Sequence, residues 1–143
     1  MSEAAVMTHP ADTVERDIPE IRFISPLPGL ERLTRFALVR LDDAGLLFSL
    51  RSLEDDTVRL VVMAPSLCFP DYVPELDDAT AAELGLESSA DALTLVVVNA
   101  AESFAASTAN LLAPVVVHAR TGAAAQVLLS GSDYSVRAPL VAA

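Results

Sequence analysis

The chain has 143 residues, 52% of them hydrophobic, with 20 acidic and 9 basic side chains and a formal charge of −11 at pH 7. That length suits one domain whose core needs no disulfides, and the apolar fraction excludes a disordered chain. All nine cations are arginines, scattered along the sequence, which argues against direct nucleic-acid binding, since a phosphate-binding surface needs clustered positive charge.

Residues 1–20 carry Glu3, Asp12, Glu15, Asp17 and Glu20 against Arg16, with two prolines and little periodicity. They read as a weakly ordered acidic extension, and without an apolar core they do not read as a secretory signal. Residues 21–143 read as the folded domain. Residues 21–25 form a short strand, and Pro26 and Pro28 with Gly29 force a turn or extended loop. Residues 36–41 and 46–50 read as a hairpin around Asp42, Asp43, Ala44 and Gly45. A polar loop over 52–57 leads to an apolar strand at 58–64.

Residues 65–74 (PSLCFPDYVP) hold three prolines, which forbid a helix or a central strand there. Phe69 and Tyr72 need somewhere to pack, so this loop is expected to fold over an opening in the core. Residues 76–86 read as the one clear helix: Asp77 or Asp78 can cap it, Thr80 and Glu83 fit a capping box, and Gly85 stands where a left-handed terminal residue belongs. Residues 92–99 form a Val-rich strand. A loop follows at 100–107. Strands at 115–119 and 125–129 are joined by Arg120, Thr121, Gly122 and Ala123. About seven short strands and one short helix predict an antiparallel sandwich or small closed barrel.

Chemistry is sparse. No Walker loop, nucleophile elbow or dinucleotide fingerprint occurs, and His9 and His118 have no second His or Cys near them in sequence that would make a metal set. Cys68, the only cysteine, reads as a small buried hydrophobe. The sequence therefore predicts no catalytic residue, no cofactor and no metal. An alternative is a ligand-binding or enzymatic site at a barrel mouth near Cys68, Tyr72 and His118. No apolar run reaches the roughly 18 residues of a membrane helix, so a cytoplasmic location is expected, with no membrane partner.

Charge is more informative. Residues 71–91 hold Asp71, Glu75, Asp77, Asp78, Glu83, Glu87 and Asp91 and no arginine. This is a solvated face or a surface for a basic partner, and Glu54, Asp55 and Asp56 extend it if the loops converge. Asn110 suits a turn that bonds its own backbone, while Tyr134 and Arg137 offer interface chemistry. The candidate partner-binding residues are Glu54, Asp55, Asp71, Tyr72, Glu75, Asn110, Tyr134 and Arg137.

Four blocks in order resemble the FliW family of bacterial flagellar assembly factors: PGLERLTRF at 28–36, SLEDDTVRLVVMAPSLCFPDY at 52–72, ELGL at 83–86, and TANLLAPVVV, QVLL and YSVRAPL within 108–140. The chain departs from the family pattern at Asp56, Cys68 and Ala138. The resemblance implies a mainly β, small antiparallel barrel-like domain with one short helix and no enzymatic activity. It also implies binding of flagellin and of the translational regulator CsrA, a small RNA-binding dimer. By antagonising CsrA, such a protein ties flagellin synthesis to export.

Overall fold

The computed structural model describes residues 20–43 and 46–141; most of the acidic extension, and Ala44 and Gly45 of the expected hairpin loop, lie outside them. The strands are β1 (Ile21–Phe23), β2 (Arg35–Arg40), β3 (Leu47–Ser52), β4 (Arg59–Met63), β5 (Ala92–Asn99), β6 (Thr108–His118), β7 (Ala123–Gln126) and β8 (Ala138–Pro139), with one helix, α1 (Asp78–Leu84). Hydrogen bonds run in the order β5-β4-β3-β2-β1-β7-β6, and a β5–β6 pairing closes the ring, with β8 added outside on β6. The domain is thus a closed barrel of seven strands.

One pairing departs from the antiparallel expectation: β1 runs parallel to β7, with Arg22 opposite Ala123 and Phe23 opposite Ala124. The reason is parity. Strand direction cannot alternate all the way around a ring with an odd number of strands, so at least one neighbouring pair must be parallel. Here it is where β1, at the start of the domain, meets β7, the second strand of the β6–β7 hairpin, and the barrel is mixed.

The strands alternate with period two. Phe36, Phe48, Leu50, Val62, Leu95, Val115 and Val117 fill the interior with Ile21 and Phe23, and Phe23 meets Phe36 edge to face at 5.4 Å. The intervening residues are also covered. Met63, Val96, Val98, Ala109 and Leu111 join an outer cluster, and Val116 and Ala125 pack with Leu84 of α1 in a third. Burial on both faces explains why β5 and β6 read as nearly continuous apolar runs.

β6 is longer than expected and contains a large bulge. Leu95 pairs with Val115 but Val97 pairs with Asn110, so residues 111–114 of β6 stand opposite Val96 alone. The Asn110 side-chain oxygen accepts from the amides of Leu112 and Ala113, both at 3.1 Å, and Pro114, which has no amide to lose, ends the bulge. Every carbonyl of the bulge is bonded: Leu111 by the Tyr72 hydroxyl at 2.7 Å, Ala113 by Gln126 Nε2 at 3.1 Å, and Leu112 and Pro114 by the amides of Leu129 and Val127 at 2.8 and 2.9 Å.

Candidate functional site

The segment from the end of β4 to the start of β5 holds the acidic stretch, and local chemistry positions it. Pro65–Leu67 makes a single 3-10 turn. Phe69 and Tyr72 then pack, with Cys68, on the outer cluster over β4, β5 and β6. The loop therefore covers the outside of the barrel wall rather than an opening into its interior. The Tyr72 ring meets that of Tyr134 at 4.7 Å in an edge-to-face contact. The Tyr134 hydroxyl accepts from the Val73 amide and donates to the Val73 carbonyl, each at 3.3 Å. These contacts fasten the loop to the C-terminal segment. Burial, with a smaller contribution from Tyr134, pushes the Tyr72 phenol up to about 12.

α1 follows. Asp77 caps it by accepting from the Thr80 amide at 2.7 Å, and hydrogen bonding from the Thr80 side chain, then from its amide, holds the Asp77 carboxyl below its ordinary value. Gly85 ends the helix at φ 74°. The Leu86 amide returns to the Ala81 carbonyl and the Gly85 amide to that of Ala82, a Schellman closure. Leu84 is buried against Val116 and Ala125. Between α1 and the barrel wall lies a groove of 520 Å³, with Leu76, Leu86, Val116, Pro114 and Leu129 among its lining and Glu75, Asp78 and Glu87 on it.

The sequence-predicted contact residues fall into separate groups. Asp71 and Glu75 are exposed beside Tyr72, and Tyr134 joins them through its ring and its bonds to Val73. Arg137 is exposed on the same C-terminal segment, where its amide bonds the Ser135 hydroxyl at 3.0 Å. Asn110 is half-buried in the bulge, with its oxygen committed to the backbone. Glu54 and Asp55 lie apart: β4 begins after their loop and ends before the 71–91 segment, so the two acidic stretches flank opposite ends of that strand. Glu54 accepts from the amides of Thr34 and Arg35 at 2.8 and 3.1 Å. Asp55 accepts from the Thr57 amide at 3.0 Å and its hydroxyl at 2.6 Å. These hydrogen bonds lower both carboxyls below their ordinary values.

The structure does not assemble the alternative site. Cys68 and Tyr72 share the outer cluster, where burial pushes the thiol up. His118 closes the far end of β6, 3% exposed, and its Nδ1 accepts from the Arg120 amide at 3.1 Å. Among the described residues no cluster of three or more His, Cys, Asp or Glu side chains is placed to hold a metal ion. Among the same residues no helix is long and apolar enough to cross a membrane. Sequence reasoning missed the groove. Its traces in sequence were the Leu76 and Leu86 ends of the helix and the cation-free stretch around them.

A family model described as FliW protein matches residues 6–140. The chain is 36% identical over 120 residues to the flagellar assembly factor FliW of Shouchella clausii (strain KSM-K16), covering 84% of this chain and 82% of that one. It is 32% identical to the flagellar assembly factor FliW of Bacillus subtilis (strain 168), covering 84% of each. A crystal structure of the flagellar assembly factor FliW superposes with a TM-score of 0.82 at 29% identity, over 90% of this chain and 89% of the other.

Proposed function

Because the chain belongs to the FliW family of flagellar assembly factors, we propose that it acts in the cytoplasm as a non-enzymatic binding protein that takes either flagellin or the translational regulator CsrA. Holding flagellin would release CsrA to repress translation. Export of flagellin would free the barrel to sequester CsrA again, so that synthesis follows export. The observation that best supports a binding role is the 71–91 segment: Asp71, Glu75, Asp77, Asp78, Glu83 and Glu87 are all exposed, and no cation lies among them. Such a surface speeds encounter with a basic partner and disfavours an acidic one.

Asp71, Tyr72, Glu75, Tyr134 and Arg137 form the nearer part of the proposed contact surface. Asn110 contributes by shaping β6. Glu54 and Asp55 would serve a second contact at the other end of β4. Residues 1–20 are proposed to be an extension outside the barrel domain. Isothermal titration of the purified full chain with flagellin, and separately with CsrA, tests the reading. Heat of association with each partner is expected, with one displacing the other. No heat with either at tens of micromolar protein would sink it.

A further inference from the structure

We infer that the groove between α1 and the outer face of β5 and β6 is a docking site for a basic amphipathic helix carried by a partner protein. This rests on the binding-protein reading above and adds to it a place and a mode of recognition. The groove has apolar walls, with Leu76, Leu86, Ala92 and Val116 among them, and polar residues including Ser88 and Thr94 beside them. Val73 and Leu128 are the most exposed large hydrophobic side chains among the described residues, at 68% and 63%. Each is the chain neighbour of a lining residue, Pro74 and Leu129.

Charge selects the occupant. The charged residues lining the groove are Glu75, Asp78 and Glu87, with no arginine, and Arg120 nearby is engaged with Asp91 at 3.3 Å. An apolar stripe flanked by Lys or Arg would bury its hydrophobic side chains and pair its cations with these acids. Backbone topology selects the mode. β5 is paired with β4 and β6, and β6 with β5 on one edge and with β7 and β8 on the other. The floor thus has no free strand edge for an extended peptide to join, and recognition falls to side chains presented at helical spacing.

The test uses the full chain labelled with 15N and a synthetic Leu/Lys amphipathic helical peptide, with an oligolysine peptide of equal charge beside it. The expected result is Leu/Lys binding with amide shifts centred on Ala81, Leu86, Thr94 and Val116, and weaker binding of oligolysine. Ala81→Met, which fills the groove from the helix side, should weaken the Leu/Lys peptide about tenfold. The surface pair Glu75→Arg with Glu87→Arg, which leaves the apolar lining intact, should weaken it too if the first variant does not fold. Shifts centred instead on a separate 860 Å³ cleft lined by Gly29, Leu33, Glu54 and Val58, equal affinity for oligolysine, or no effect of the substitutions would overturn the proposal. The titration needs neither flagellin nor CsrA. Its failure leaves the binding-protein reading standing, and absent heat with both proteins leaves the groove standing.

Discussion

Glu54 shows how an exposed acid can be a fastener. Its carboxylate holds the amides of Thr34 and Arg35, joining the β3–β4 loop to the start of β2. Its folded pKa lies below the ordinary 4.5, chiefly through those two amides. A depressed carboxyl contributes stability above its unfolded value, and that contribution is lost as pH falls through the folded value. Glu54→Gln should therefore unfold at lower urea than the wild type near neutrality, with the gap closing as pH falls below the ordinary 4.5 toward the lowered folded value. Urea midpoints measured across that range check this, and a constant gap would show that the charge is not what the loop uses. Asn110 and Asp77 were legible as backbone-bonding residues because their partners lie within three positions. Glu54 was not, because its partners are 19 and 20 residues away. Tyr72, bonded to a carbonyl 39 residues on, hid its role in the same way.

At the scale of elements, α1 was readable from its ends, because caps are local chemistry. It has seven residues, too few to persist alone, so its ends and its contact with Val116 and Ala125 must hold it. A Cβ at Gly85 would stand 4.0 Å from His118 Cδ2, an ordinary contact, so the cost of Gly85→Ala is the left-handed backbone itself, about 1 kcal/mol. Denaturation should show that loss, and hydrogen exchange should quicken at Leu86, whose amide closes the helix. Unchanged exchange would mean the helix end is held by its packing alone. β6 was harder. The sequence starts it only at 115 and assigns 108–114 no element beyond a turn-making Asn110, while Pro114 disfavours a central strand. Both inferences were locally correct, and the bulge satisfies both while the strand continues through them. TANLLAP, QVLL and YSVRAPL thus have a structural meaning as a bulge and the residues that bond it. The Leu111 amide, for instance, donates to the Ser135 carbonyl at 2.9 Å.

For the whole molecule, the net charge of −11 acts through its distribution. Reversing Asp71 and Glu75 to Arg should slow association with the proposed partner CsrA about tenfold at low ionic strength, the difference shrinking as salt screens it. The melting temperature should hold, because both side chains are exposed. Stopped-flow association at several salt concentrations measures this, and equal rates throughout would make the acidity a solubility device. Glu54 and Asp55 are poor choices for the same reversal, since their carboxylates carry loop hydrogen bonds.

The sequence by itself determined the mainly β class, the position of the helix and its caps, most of the strand centres and the acidic, cation-free segment, because each depends on neighbours within a turn or a strand. Only the tertiary structure decided that seven strands close into a ring and that β1 meets β7 in parallel. It alone placed loop 65–74 on the outer wall, tied Glu54 to the start of β2, and opened a groove beside α1. Those are pairings between residues far apart in the chain, and local preference cannot specify them. They follow from closing the ring and from burying both faces of its Val-rich strands.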